Sequence, residues 1–586
     1  MALAPVPSAQ QGPGFGRLTA AKQRHLSAWR TYQCRASTFG YEGDCFADPS
    51  KIEAQAVEKR LEVENAAAAE EEAKQGRERI VSRCAMELAK TPRAWQFIGL
   101  NFFASKPQER RAPGMFYGLE FPWNADLLVE FGPEWLTKAF HAAGTLDANN
   151  SVTAVIPERK ITITAGNNAA KILFEVRYAK PTADLHTKLF AKIPFPLSGT
   201  TTKDRQSSSV YKQPMDFHEI NTYRLLESRM PVKVPKYYYG DISNETSNYI
   251  LITERVPFAE INGPRKGTLA PLEIEGPYQK CKDWMLRGPA KDYYMLLIRK
   301  HAQLAAAHKK GRMGSQAALE QSLRFAPTGV ESYAVNPDAP TGEKAETCSL
   351  RLEEAIKFFA GTAKVVFPSY VTSDAFQRKF RATFLKLNAY SGEIQYWKHK
   401  NPDYVAFGHQ NLNMDNAYFW QGVDGALDCG IFDFGGFGSS SLPHRLWWGL
   451  NCAEFDQIKE NLSEYIDSFI SLYAEFGGPR LDKSVMRTAI IITALENTMF
   501  MVRAVPDCLE QCPEEEWSTI RDRHDPRVSS DVGGKSTLRT TLQVMTNGLR
   551  MLEELQADQV LDAWVRDVYG AEFGKPPKGN AVVMGA

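Results

Sequence analysis

Residues Val405–Gly438 read VAFGHQNLNMDNAYFWQGVDGALDCGIFDFGGFG, and the fold follows from how this stretch pairs with itself. Asn416 stands just ahead of the apolar run Ala417-Tyr418-Phe419-Trp420, and Asp433 follows Ile431-Phe432. Between the runs, Gly422-Val423-Asp424-Gly425 supplies the Gly and Asp that a reversing turn needs, so the runs are expected to pair as a hairpin. Pairing sets an amide oxygen and a carboxylate side by side at one edge of a small sheet. Hard oxygen donors of this kind suit Mg²⁺ carrying a phosphate group.

The segment GHQNLNMDN, Gly408–Asn416, resembles the His-Gly-Asp-x-x-x-x-Asn loop of the aminoglycoside and choline/ecdysteroid kinase-like phosphotransferases, and Ile431–Gly435, IFDFG, is similar to their Ile-Asp-Phe-Gly. The resemblance implies an α+β, two-lobed protein-kinase-like fold, with a small antiparallel-sheet N-lobe, a large helical C-lobe and, here, an N-terminal helical extension. It implies His409 as the loop histidine, Asn416 and Asp433 as Mg²⁺ ligands, ATP as phosphate donor and a small hydroxylated molecule as acceptor. One position departs: Asn411 stands where the family carries the aspartate that receives the hydroxyl proton, and Gln410 replaces the glycine before it.

An amide takes up no proton near neutral pH, so Asn411 can orient a hydroxyl without acting as its base. General-base assistance is typically worth ~10²–10⁴-fold, whereas phosphoryl transfer leans mainly on positioning and charge neutralisation. Two readings stay open: a slow small-molecule phosphotransferase, or a pseudokinase serving as a nucleotide-binding or structural interaction module.

Further matches fall in the order the same template requires. Phe190-Ala191-Lys192 resembles the strand bearing the nucleotide-binding lysine, and Glu219, on the helical run from Phe217 to Leu226, matches the acid that orients that lysine. A cation fixed against phosphates needs such a carboxylate partner. The turn containing Gly166 and Asn167 is where the template places a phosphate loop, and the Thr253-Glu254-Arg255-Val256 segment is where it offers backbone groups to adenine. From residues alone that turn reads equally as an ordinary hairpin. Leu304-Ala305-Ala306-Ala307-His308 is similar to the family's Leu-Ala-x-Leu-His, with His308 expected as a core histidine bonded to the loop backbone. His444 and Arg445 occupy the region where the family usually places a bracing aspartate, and no Ala-Pro-Glu-terminated activation segment points to protein phosphorylation.

The whole chain fits this frame. Its 586 residues suffice for several domains, and a net charge of +1 with no long basic cluster argues against a nucleic-acid partner. Nine cysteines without a Cys-x-x-Cys pair read as free thiols in a reducing compartment. No run is expected to cross a bilayer, so a cytoplasmic location is expected. The first forty-one residues carry no Asp or Glu among Ala, Ser, Gly, Pro and Arg, which suits a disordered tail over residues 1–50 or, alternatively, an organellar transit peptide.

Residues 51–131 read as a helical extension followed by an aromatic cap. Strong helix formers fill 51–90, with Ile80, Val81, Cys84 and Leu88 as the apolar face at its end, and Trp95 to Trp123 is aromatic and broken by Gly and Pro. The N-lobe is assigned to 132–255, opening on a helix at Gly132-Pro133, and the C-lobe to 256–575. Within it, 311–349 reads as a long surface insertion and 439–445 as a short connection; 576–586 reads as a tail. The N-terminal helix and the insertion are the expected surfaces for a protein partner. Trp447 and Trp448 are expected in the core rather than around a cationic substrate.

Overall fold

The computed structural model describes residues 70–574, apart from 72, 162–168, 197–204, 260–268, 324–340 and 533. The chain divides into two units, Met1–Glu72 and Ala73–Ala586, and the architecture below is that of the second alone. The N-terminal tail, the first half of the helix expected over 51–90, the turn carrying Gly166 and Asn167, and the tail 576–586 lie outside the described residues.

The fold is α+β, with a small antiparallel sheet and a mostly helical remainder, as expected for a two-lobed kinase-like protein. A first helix, α1 (residues 73–89), precedes an irregular aromatic segment and α2 (Ala125–Ala143). Strands β1 (Val152–Ile161), β2 (Ala170–Tyr178) and β3 (Lys188–Ile193) follow, then α3 (Met215–Leu226), β4 (Tyr237–Ile242) and β5 (Tyr249–Glu254). The five strands form one antiparallel sheet in the order β1-β2-β3-β5-β4. Tyr237, Tyr238, Tyr239, Tyr249, Ile250 and Ile252 are buried on both faces of the sheet, because α3 and α2 pack on β4 and the aromatic segment covers what remains. That cover is fixed by Asp241, whose carboxylate accepts from the Phe116 and Tyr117 N–H groups at 2.9 and 3.0 Å.

The helical lobe runs through α4 (Ala290–Lys309), α5 (Gln316–Leu323), α6 (Ala345–Ile356), α7 (Asp374–Ala389) and α8 (Ser391–Lys400). Two small hairpin sheets come next. Strand β6 (Val405–Gly408) pairs with β9 (Gly438–Ser441), and inside that pair β7 (Ala417–Gln421) meets β8 (Leu427–Ile431), with Gly425 at φ +78° in the turn. The hairpin expected from the sequence is therefore present, with Ala417 opposite Ile431. Helices α9 (Leu442–Leu450), α10 (Phe455–Glu475), α11 (Lys483–Val502), α12 (Thr537–Glu554) and α13 (Ala557–Ala563) complete the lobe. Helix α4 packs on α10, α9, β6 and β8, and His308 accepts from the Phe407 N–H at 3.3 Å while stacking on the Phe407 ring, so it is a core histidine.

Several expectations need correction. The buried face of α1 is the expected one in part: Cys84 is buried and Leu88 packs against the core, but Val81 is 55% exposed, and Arg83 and Glu87 are buried beside them. The contact is ionic, because Arg83 pairs with Glu227 and Glu87 with Arg224 at the end of α3. This face of α1 is thus committed to its own chain. The helix expected at Gly132-Pro133 is present: Gly132, at φ +64° and ψ −163°, is non-helical, and the turn there separates it from a preceding helical segment that starts at Ala125, where Asn124 Oδ1 accepts from the Leu127 N–H at 2.8 Å. The described parts of 311–349 are not a free surface loop. Leu319 and Leu323 of α5 and Cys348 of α6 are buried, and Glu320 accepts from the Ser439 hydroxyl at 2.6 Å.

The 439–445 segment is a strand and a helix start instead of a connection, with Arg445 donating to the Gly438 carbonyl at 3.2 Å. Helix α11 is long and apolar enough to cross a membrane by length and composition, contrary to the expectation that no run is. Its apolar window is 72% buried inside the protein, against α9 and α12, so it is the core of the helical lobe. Trp447 is buried and donates to Asn497 Oδ1 at 3.2 Å, in keeping with a core role. The seven described cysteines are all buried and free.

Candidate functional site

The site begins with register. Lys192 is in β3, opposite Lys171 of β2 on one side and Leu251 of β5 on the other. Residues directly opposite in an antiparallel pair leave the sheet on the same face. That face therefore carries Lys171 and Lys192 together and, two positions along, Leu173, Phe190 and Thr253, an apolar ceiling running toward the end of β5.

Helix α3 lies against the sheet and presents Glu219 to the lysine. Lys192 Nζ donates to Glu219 Oε2 at 2.5 Å and to Asp433 Oδ1 at 2.9 Å, so one ammonium joins β3, α3 and the loop after β8. The Lys192 and Glu219 side chains are 12% and 6% exposed, and Asp433 is 38% exposed. Burial opposes the charge on Lys192, but Asp433 and then Glu219 outweigh it and hold the ammonium well above its ordinary range. Burial likewise opposes the charge on Asp433, yet Lys192 draws its carboxyl far below the usual carboxylate range. Glu219, the more enclosed acid, is pushed up to about 7 by burial, with Lys192 opposing.

Asp433 has φ +67°, a left-handed conformation that a non-glycine residue holds only when its surroundings fix it. Three contacts do so besides Lys192. His409 Nε2 donates to the Phe432 carbonyl at 2.9 Å, Gln410 Nε2 donates to the Asp433 carbonyl at 2.9 Å, and the Asn416 carbonyl accepts from the Phe432 N–H at 3.2 Å. Gln410, the residue in place of the usual glycine, fits because Gly436 faces it: a Cβ there would come within 2.6 Å of Gln410 Cβ.

His409 is fully buried, and its Nδ1 accepts from the Asn411 N–H at 3.3 Å. Both ring nitrogens are thus spent on the backbone, so His409 positions the loop instead of touching a substrate. The neutral ring is favoured by burial, which lowers its pKa to about 4. Asn416 Nδ2 donates to the Asn411 carbonyl at 2.8 Å and to Asn411 Oδ1 at 3.1 Å. With that nitrogen committed, the oxygen of Asn416 is its remaining polar atom, and Asn411 is left with an N–H₂ group to offer. The pair can hold a cation and orient a hydroxyl. It cannot accept a proton.

Among the described residues no group of three or more His, Cys, Asp or Glu side chains gathers to hold a metal. One carboxylate and one amide oxygen suit a Mg²⁺ that takes the rest of its shell from water and phosphate. Thr253 donates to the Glu254 carbonyl at 3.0 Å, Glu254 Oε2 accepts from the Lys236 N–H at 3.0 Å, and the Val256 carbonyl accepts from the Phe258 N–H at 3.0 Å. The Glu254 side chain therefore serves the start of β4 and is not brought to the lysine cluster.

Two groups beside the site were not picked out from the sequence. Lys171 is brought in by strand register, and Lys280 pairs with Asp415, the residue before Asn416, at 3.4 Å. A lysine at the start of β2 was visible, but its partner across the sheet was not.

No family model and no curated protein matches the sequence. Among solved structures, the chain is similar to the GDP complex of wild-type aminoglycoside 2'-phosphotransferase-IIIa, at 13% identity over 63% of this chain and 90% of that one, with a TM-score of 0.30. It is also similar to the microcompartment-associated aminopropanol kinase, at 10% identity over 69% of this chain and 94% of that one, with a TM-score of 0.33. At such values neither likeness bears on what this chain binds.

Proposed function

We propose that this chain is a nucleotide-binding, phosphotransferase-like protein of the aminoglycoside and choline/ecdysteroid kinase-like type, whose cleft takes ATP and a small hydroxylated acceptor. The observation that carries it is the sharing of one ammonium between Glu219 and Asp433, at 2.5 and 2.9 Å, on the sheet face that also carries the apolar ceiling of Leu173 and Phe190. Lys192 meets the phosphates, and Glu219 keeps it aimed. Asn416 and Asp433 are the residues that would hold Mg²⁺. When bound, that ion neutralises charge on the phosphates. Asn411 places the acceptor hydroxyl through its amide, and the proton leaves late or to solvent because no carboxylate stands at that position.

A second reading follows from Asn411 itself. Its Oδ1 is occupied by Asn416 and its remaining group is a donor, so a nucleotide-binding pseudokinase is supported by the same geometry. Thermal melting of the purified full chain with and without Mg-ATP, run beside phosphate-transfer and ATP-hydrolysis assays on wild type and Asp433→Ala, separates the two. Stabilisation with turnover above the Asp433→Ala background supports the enzyme. Stabilisation at background turnover supports the pseudokinase, and no stabilisation removes both.

A further inference from the structure

Glu219 and Asp433 come from different lobes, one from α3 beside the sheet and the other from the loop after β8, and a single ammonium reaches both. The sharing leaves little tolerance in how α3 sits over the helical lobe. Tyr223 of α3 meets Phe434 edge-on, with ring centroids 5.3 Å apart, but apolar contact is non-directional and by itself leaves a helix free to turn about its axis. Directional bonds come from a third element, α5.

Helix α5 packs on both α3 and β9. On the α3 side, Asn221 Nδ2 donates to the Ser322 carbonyl at 3.2 Å, and His218 is hydrogen-bonded to the Leu323 backbone. Ser322 and Leu323 lie in the last turn of α5, where carbonyl groups lack partners within the helix. His218 and Asn221 are buried, bracket Glu219 in the chain and, three positions apart, share one side of α3. A helix gripped at two such points does not rotate, and the direction of Glu219 is fixed with it.

On the other side, Glu320 Oε1 accepts from the Ser439 hydroxyl at 2.6 Å, and Ser439 stands in β9, the strand that follows the Asp433 loop. Phe434 and Phe437, between Asp433 and Ser439, are fully buried, so this segment moves with the lobe. Helix α5 is itself pinned. Leu319 and Leu323 are fully buried, and the Ser315 hydroxyl accepts from the Ala318 N–H at 3.2 Å at its start.

We propose that α5 is a strut between the lobes: through His218 and Asn221 on one side and Ser439 on the other, it holds Glu219 and Asp433 at the separation at which both reach Lys192. Glu320, Ser439 and Asn221 are then positioning residues that act through the Lys192 clamp. The proposal deepens the nucleotide reading of this cleft and rests on it for what Lys192 meets. The strut itself needs no nucleotide.

Two measurements on the full chain test it: the rate at which acetic anhydride labels Lys192, mapped by mass spectrometry, and the affinity for Mg-ATP by calorimetry. Lys188, on the same strand with its side chain 60% exposed, is the internal reference. Glu320→Ala and Ser439→Ala are expected to speed labelling of Lys192 relative to Lys188 by about threefold or more and to weaken Mg-ATP binding by about tenfold, as loss of one hydrogen bond to a carboxylate allows. The double variant is expected to match the singles, since each removes the same bond. Glu320→Gln keeps an acceptor for the Ser439 hydroxyl and is expected to stay within about twofold of wild type in both measurements. Unchanged labelling of Lys192 in the alanine variants, with or without a lowered melting temperature, overturns the strut and leaves α5 as packing. Labelling of Glu320→Gln as fast as that of Glu320→Ala overturns it as well. Faster labelling without weaker Mg-ATP binding supports the strut and counts against the nucleotide reading. If wild type binds no Mg-ATP, that reading falls, and the labelling rates alone decide for or against the strut.

Discussion

Lys192 donates to Glu219 across 2.5 Å, and this bond ties the third strand of the sheet to the helix packed beside it. Both side chains are largely enclosed; Lys192 is the main compensation Glu219 has for leaving water, and Glu219 is the second that Lys192 has, after Asp433. Removing one partner of a buried ion pair strands the other, at a cost of about 3–5 kcal/mol. Lys192→Met is expected to lower the unfolding free energy by that order in urea denaturation and to abolish any ATP-induced rise in melting temperature. Glu219→Gln keeps a hydrogen-bond acceptor for the ammonium and is expected to cost less. Equal stability of wild type and Lys192→Met would show that the bond does not form in solution.

His409 gives the chain a predictable response to acid. Its ring is neutral and bonded at both nitrogens, and burial lowers its pKa to about 4 from an unfolded value of 6.5. The unfolded chain therefore takes up this proton first as pH falls. The stabilisation is fully present above pH 6.5 and is lost progressively as pH falls toward 4, amounting to about 2 kcal/mol between pH 7 and 5. His301, His308 and His399 are buried with lowered pKa values and act in the same direction. Urea denaturation of wild type and His409→Gln at pH 7 and 5 isolates the share of His409. The variant is expected to lose about 2 kcal/mol less than wild type over that interval; equal losses would mean that the ring is accessible to protons in the folded state.

What could be read in the sequence was local, and what could not depended on distant pairing. The Ala417–Ile431 hairpin announces itself through two apolar runs around Gly-x-Asp-Gly, and the Lys192, Glu219, Asn416 and Asp433 order follows from motifs of a few residues each. Lys171 was not legible because a one-residue slip between β2 and β3 would turn it to the opposite face, and nothing in either strand fixes that register. The face of α1 was legible only in part, for a different reason. Apolar periodicity is the ordinary guide to burial and finds Cys84 and Leu88, but Arg83 and Glu87 are buried beside them, and their partners lie some 140 positions away. Gln410 was read as a departure, while the compensating space at Gly436 shows only when the two loops meet.

Those charges on α1 make a third stability prediction. Arg83 pairs with Glu227 and donates to the Arg224 carbonyl at 3.0 Å, while Arg224 pairs with Glu87 and lies 4.4 Å over the Phe116 ring. The end of α3, the helix that carries Glu219, is thereby clamped to α1. Arg224→Met leaves the buried Glu87 with the half-exposed Lys90, at 2.6 Å, as its remaining cation and is expected to cost about 2–3 kcal/mol, whereas Arg224→Met/Glu87→Leu, which removes both charges, is expected to recover most of that loss. Urea denaturation of the two variants checks the difference. Similar losses in both would mean that packing of the Arg224 stem, and not its charge, holds the helices together.

Asn411→Asp asks whether the missing proton acceptor is all that separates this cleft from rapid catalysis. The change is nearly isosteric and keeps the oxygen that accepts from Asn416 Nδ2 at 3.1 Å, so the loop shape set by His409 and Gln410 is expected to survive. It places a carboxylate where the resembled family carries one, without altering Lys192, Glu219, Asn416 or Asp433. If positioning and charge are already in order, phosphate transfer or ATP hydrolysis is expected to rise by ~10²–10⁴-fold over wild type. The comparison is made at saturating Mg-ATP with Asp433→Ala as background. A variant that binds ATP as wild type does yet stays at background would show that the acceptor is also misplaced, and the cleft would then be a binder by geometry as well as by the loss of one acid.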